Sequence, residues 1–164
     1  MSKSLLLLTL FLIISPNGWA QATVREERPN LQGSPSPPEQ TGKAAIRDYL
    51  QSWKNLSSAL EQNRPELLDS SFVGIAREKL SETIRQQTIL GAHSIYRDRA
   101  HDIQIVFYSP EGLSIELTDK VQYDLELVDH SGVKMVQHLS ARYVIVLTPA
   151  EVRWRVRVFQ AEPE

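Results

Sequence analysis

The chain contains no cysteine. That absence removes disulfides, thiolate metal sites, cysteine nucleophiles and a lipid attached at an N-terminal Cys, so packing must hold the protein together. It also lacks a charge excess, since 18 Lys and Arg against 20 Asp and Glu leave a formal net charge of −2. A near-balanced chain gives no electrostatic reason to bind nucleic acid. There is no G-x-S-x-G, no phosphate-binding loop and no H-E-x-x-H, so the common signatures of serine hydrolases, NTPases and zinc proteases are missing. A membrane span is missing too. Crossing a bilayer takes about 20 apolar residues, and the run from Leu5 to Ile14, interrupted only by Thr9, is half that length.

What the N-terminus does contain is the layout of a secretory signal peptide over residues 1–22. Lys3 makes a short basic start, the Leu-rich run follows, and Ser15-Pro16-Asn17-Gly18 breaks it. Ala20 and Ala22 place small residues at the −3 and −1 positions of a cleavage site, with Gly18-Trp19-Ala20 as an alternative ending at Ala20. No arginine pair precedes the run, so the expected route is general secretion. The expected location is periplasmic or extracellular, with no stable membrane anchor after cleavage.

Residues 23–42 carry Pro29, Pro35, Pro37 and Pro38 together with Gly33, Ser34 and Ser36. Such a composition predicts a disordered linker, because it buries too little apolar surface to offset its ordering entropy. Residues 43–160 then form one domain of about 120 residues, near the commonest domain size. Asn55-Leu56-Ser57 matches a glycosylation sequon but falls inside a predicted helix.

That helix is predicted from Lys43 to Gln62, with Thr41 as its N-cap. Ile46, Tyr49, Leu50, Trp53, Leu56, Ala59 and Leu60 recur at helical spacing and make one apolar stripe. Asn63-Arg64-Pro65 ends it, and a short turn over Pro65–Asp69 carries Leu67 and Leu68 inward. A further helix over 73–90 follows, with Phe72, Ile75, Ala76, Leu80 and Ile84 inward and Gly91 as its stop.

Beyond Gly91 the periodicity becomes twofold, predicting strands at 94–108, 113–128, 133–148 and 152–160. Turn-forming residues at 109–112, 129–132 and 148–151 join them into an antiparallel meander. The expected fold class is therefore α+β, with N-terminal helices packed on a curved four-stranded antiparallel sheet. Pairing residue 127 with 135 and residue 147 with 152 gives one inner face. It runs through Val121, Tyr123, Leu125, Leu127, Met135, Leu139, Ala141, Tyr143, Ile145, Leu147, Val152, Trp154, Val156 and Val158. The outer face carries Asp124, Glu126, His138 and an Arg/Val set: Val136, Arg142, Val144, Val146, Arg153, Arg155 and Arg157. Arginine interleaved with valine suits an interface to a second copy or a protein partner. The same residues suit a solvated face chosen for strand propensity.

The order helix, short helix, helix and curved meander resembles the NTF2-like, cystatin-like α+β superfamily over about residues 43–160. The resemblance rests on Ile46–Trp53, on Phe72-Val73-Gly74, and on Arg142–Leu147 followed by Trp154-Arg155-Val156. It implies a helix laid across a bent sheet, forming a cone with a pocket at its open end. The superfamily hosts isomerases, dehydratases and non-enzymatic binding domains, so the resemblance leaves function open.

Tyr49, Trp53, Tyr123, Tyr143 and Trp154 point toward the helix–sheet interface, where they line a ligand pocket or fill the core. Titratable residues concentrate at His93, Tyr96, Arg97, Asp98, Arg99, His101 and Asp102. A general base built from His101 with Asp98, near Tyr123 and Tyr143, is the catalytic candidate. Asp102 follows His101 directly and so points to the opposite face of a regular strand. The alternative is a solvated, charged strand that discourages edge pairing. His93 and His101 match no metal-binding spacing, and no cofactor is implied. His130 and His138 have no evident partner. The favoured expectation is a non-catalytic binding or assembly module, and the alternative is a small-molecule enzyme or carrier of the isomerase or dehydratase style.

Overall fold

The computed structural model describes residues 21–162, so the apolar run and Ala20 of the expected signal segment lie outside the described residues. Two helices, α1 (Glu39–Gln62) and α2 (Gly74–Ile89), are linked by a single 3-10 turn at Pro65–Leu68. They pack on a sheet of five strands: β1 (Thr23–Glu26), β2 (Ala92–Tyr108), β3 (Ile115–Asp129), β4 (Gly132–Pro149) and β5 (Trp154–Ala161). The strands lie in chain order across the sheet. β1 is parallel to β2, and the other pairs are antiparallel.

β1 corrects two expectations at once. The sheet has five strands where the alternation predicted four, and residues 23–42 are not a free linker. Thr23–Glu26 pair with Ala100–Ile103, and the backbone continues along the same edge through Glu27 N–H to Ile103 O and Asn30 N–H to Ile105 O. The β2 backbone supplies those partners, and four residues are too short a run to reveal a strand by alternation. Arg25 adds a two-pronged bond to Asp102, 2.8 Å for each prong.

α1 starts at Glu39, before the predicted Lys43, and Thr41 lies inside its first turn. Pro38 approaches in an extended conformation and its carbonyl accepts Gly42 N–H at 3.0 Å, closing that turn. The helix ends where Asn63 turns left-handed, φ 53°, and the Asn63 side chain donates to Ala92 O at the start of β2. Of the apolar stripe, Ile46, Tyr49, Trp53, Leu56, Ala59 and Leu60 are in the core and Leu50 is half-buried against it. Each large member contributes about 1.5–3 kcal/mol of transfer free energy. The exposed Lys43–Glu39 pair adds little, because solvent screens it. Packing, not surface charge, holds α1.

The register of the meander follows the turn chemistry. Leu127 opposes Met135, as expected. The last turn differs, because β5 starts at Trp154 and Leu147 opposes Val156. Val152 is therefore outside the strand and 82% exposed. A bulge between Val146 and Leu147 then shifts parity, so Phe159, not Val158, packs beside the core. Ile75, predicted inward, is also exposed, one position after Gly74 opens α2.

Candidate functional site

One irregularity in β2 creates the site. The ladder with β3 shifts between Asp98 and Ala100, leaving Arg99 as the extra residue of a β-bulge. In a regular strand residues three apart face opposite ways. Across this bulge Asp98 opposes Tyr123 and His101 opposes Val121, so both belong to the inner face. The titratable cluster of β2 thus divides. Arg97, Arg99 and Asp102 bond Glu126, Asp124 and Arg25, whereas Asp98 and His101 turn toward α1. The charged-strand reading holds for the first group and fails for His101, which is 2% exposed.

Asp119 on β3 completes the arrangement, and it is 0% exposed. Its Oδ2 lies 2.7 Å from His101 Nδ1 and accepts the Tyr49 hydroxyl, also at 2.7 Å. Among the described residues its Oδ1 has no hydrogen-bond partner. On the other side of the imidazole, Asp98 Oδ2 is 3.7 Å from Nε2, and Asp98 Oδ1 accepts the indole N–H of Trp53. Trp53 also meets the His101 ring edge-on, with centroids 5.4 Å apart. The imidazole is bracketed by two carboxylates, each tied to an α1 side chain.

Burial opposes a charge on His101, but the hydrogen bonds and charges of Asp119 and Asp98 outweigh it and raise the pKa to about 9. His101 is an imidazolium at neutral pH. Burial and the Asp119 charge push the Tyr49 phenol well above its ordinary value, so it stays a donor. Burial raises Tyr143 as well, helped by the bond to Tyr123, and pushes Tyr96 up to about 12.

The aromatic set is partly as predicted. Tyr123 and Tyr143 each meet Trp53 edge-on, and their hydroxyls are 3.3 Å apart. Tyr96 stacks on Tyr123 and Phe159 on Tyr143, two members the sequence reading did not include. Trp154 is buried elsewhere: its backbone N–H goes to Asp48 Oδ2, and among the described residues its ring meets none of the others. Toward the far end of β3 and β4 the inner face becomes half-buried at Tyr96, Leu125, Leu127, Met135 and Leu139.

Of the expected Arg/Val set, Val136, Arg142, Val144 and Val146 stand at alternate positions of β4. Arg142 pairs with Glu162, Arg155 reaches back to the Asp69 carbonyl, and Arg153 lies in the turn before β5. Val144 and Val146 are half-buried, while Val136 and Arg157 are exposed. His138, expected without a partner, bonds Asp124.

Asp119 is the residue that sequence reasoning missed. The signal was present, because it occupies an inward position of β3 between Leu117 and Val121. A lone carboxylate at an inner position of an apolar alternation is costly unless paired.

No protein-family model matches the chain, and no curated protein matches it. Its fold is shared with solved structures. The intermembrane-space region of the chloroplast protein ARC6 superposes with a TM-score of 0.62 at 12% identity, over 77% of this chain and 98% of that one. A scytalone dehydratase candidate from Novosphingobium aromaticivorans gives 0.54 at 14% identity, over 77% and 89%. A structure from Catenulispora acidiphila gives 0.53 at 14% identity, over 76% and 94%. Such identities speak for fold alone, and that fold is the NTF2-like cone.

Proposed function

We propose that this chain is an exported, non-catalytic binding domain whose ligand or partner segment enters the open end of the cone, over Tyr96, Tyr123, Leu125 and Leu139. One observation carries the reading: the groups able to do acid–base chemistry are already consumed. His101 is 2% exposed, its Nδ1 bonds Asp119 and its Nε2 faces Asp98. A general base must reach the proton it removes, and a protonated, enclosed imidazole does not. The same cluster anchors α1 to the sheet, which is a structural task. Export rests on the layout of residues 1–22.

Histidine-selective acylation and NMR titration test this directly. His93, His130 and His138 are expected to react in the native protein while His101 stays protected and titrates near 9. A His101 that reacts as fast as the others and titrates below 7 overturns the reading. Binding is checked by fragment screening, with shift changes expected at Tyr96, Tyr123 and Leu139.

A second reading, a dehydratase- or isomerase-style enzyme, draws on the Asp119 oxygen left without a partner beside Tyr49 and His101 and on the fold likeness to the scytalone dehydratase candidate. It requires turnover in a dehydration or isomerisation assay that His101→Gln abolishes without unfolding the protein.

A further inference from the structure

Lys43, Arg47 and Lys54 recur on α1 at spacings that share one helix face. That face borders a cavity of about 660 Å³. The turn before β5 contributes Val152 and Arg153 to the same cavity, and the end of β1 contributes Glu26. Four cations and two carboxylates, Glu26 and Asp48, thus line one concave space, in a chain whose formal net charge is −2.

One buried carboxylate arranges the two arginines. Asp48, 8% exposed, accepts Arg47 Nε and Nη2 on Oδ1, each at 3.0 Å, and the Trp154 backbone N–H on Oδ2 at 2.8 Å. The two bonds from Arg47 occupy one edge of its guanidinium and leave the Nη1 edge open. The bond from Trp154 pins the residue next to Arg153, and Ala150 N–H closes the turn onto Arg153 O at 2.9 Å. Arg153 is therefore held by backbone bonds on both sides, while its guanidinium has no partner among the described residues.

Charge then locates and selects the ligand. Lys43 bonds Glu39 at 2.6 Å and feels the charge of Glu26, so that end of the cavity is already neutralised. Lys54, like Arg153, has no ionic partner among the described residues. These two free cations and the open edge of Arg47 offer more donors than the two oxygens of a carboxylate accept. A phosphate group, with its three acceptor oxygens and a charge of about −2, matches them, and a guanidinium edge suits it geometrically. The cavity exceeds one phosphate and falls in the range of small-ligand sites, roughly 300–1,000 Å³. Half-buried Leu50 and exposed Val152 give it an apolar flank, which suits an organic group attached to the phosphate.

We propose that this cavity binds a small organic phosphate monoester. Arg47, Lys54 and Arg153 hold its phosphate, and Leu50 and Val152 flank its organic group. None of these residues belongs to the cone mouth, so the proposal does not depend on what the cone binds.

Titration of the native chain with phenyl phosphate, followed by amide NMR, tests it. The signals of Leu50, Lys54, Val152 and Arg153 are expected to move and saturate, with inorganic phosphate and benzoate both binding more weakly. Lys54→Ala and Arg153→Ala are each expected to weaken binding about 10- to 100-fold, the loss of one charge-assisted hydrogen bond. Both side chains are exposed, so these variants keep the fold, and circular dichroism checks it. Arg157→Ala, an exposed arginine outside the cavity, is expected to bind as the native chain does. Shifts confined to Tyr96, Tyr123 and Leu139, or phenyl phosphate binding no tighter than inorganic phosphate or benzoate, overturns the proposal. So does an Arg153→Ala or Lys54→Ala variant that binds as tightly as Arg157→Ala. Capture by phosphatidate vesicles without a response to phenyl phosphate overturns it as well, in favour of a membrane surface.

Discussion

Asp98 and His101 sit on the same side of one strand although they are three positions apart, with carboxylate and imidazole 3.7 Å from each other. The bulge at Arg99 is the cause. Without it Asp98 would join the outer row of ion pairs, and both the Trp53 indole and the His101 Nε2 would face the core alone. Deleting Arg99 is expected to restore regular alternation and abolish this juxtaposition, read as a fall in the His101 pKa by NMR and a lower urea midpoint.

Stability is expected to depend on pH through His101. Its pKa rises from an ordinary value of 6.5 to about 9 on folding, so the folded state holds the proton more tightly. The contribution is fully present below about pH 6.5 and is lost as pH rises through 9. The full effect is on the order of 3 kcal/mol. Calorimetry from pH 6 to 9.5 should show a falling melting temperature for the native chain and a flatter profile for His101→Gln. A native profile that rises over this range contradicts the assignment.

Asp119 is the counter-charge on which both Tyr49 and His101 depend. Asp119→Asn leaves a buried imidazole without its nearer carboxylate and is expected to cost about 3–5 kcal/mol at neutral pH, the usual penalty for breaking a buried pair. The His101 pKa should drop sharply in the same variant. Denaturant unfolding and NMR titration report the two effects separately.

Tyr143→Phe should be mild. The Tyr123 and Tyr143 hydroxyls are 3.3 Å apart and Tyr143 is half-buried, so the expected loss is below about 1 kcal/mol. Tyr49→Phe removes a 2.7 Å bond from a fully buried carboxylate and should cost about 1–3 kcal/mol. Equal losses in the two variants would show that the site is not graded by burial.

Gly91 gives a control outside the site. It ends α2 at φ 65° with nothing within 4 Å of where a Cβ would stand, so only backbone strain opposes substitution. Gly91→Ala is expected to cost about 1–2 kcal/mol and Gly91→Asn less, since Asn tolerates this conformation.

Several parts of the structure were legible in the sequence because they depend on local pattern. The α1 stripe, the switch from helical to twofold spacing after Gly91, and the Leu127–Met135 register each follow from side-chain periodicity and turn residues. Tyr49, Trp53, Tyr123 and Tyr143 were placed together by the same parity. The misses share a different origin. Val158 leaves the inner face because a bulge shifts its strand by one residue. β1 has the composition of a linker, and its hydrogen-bond partners lie far along the chain in β2. Trp154 shares a face with the other aromatics, but position along the strand separates it.

By itself the sequence determined the α+β class, the meander, the helical face that meets the sheet, and the dependence on packing in a chain without cysteine. These are properties of periodicity and composition. Tertiary structure alone decided that His101 is a buried imidazolium between Asp119 and Asp98, because that outcome needs a bulge, a neighbouring strand and α1 to converge on one ring. It also decided that Arg47 and Arg153 line one cavity, since Asp48 joins parts of the chain that lie far apart in sequence.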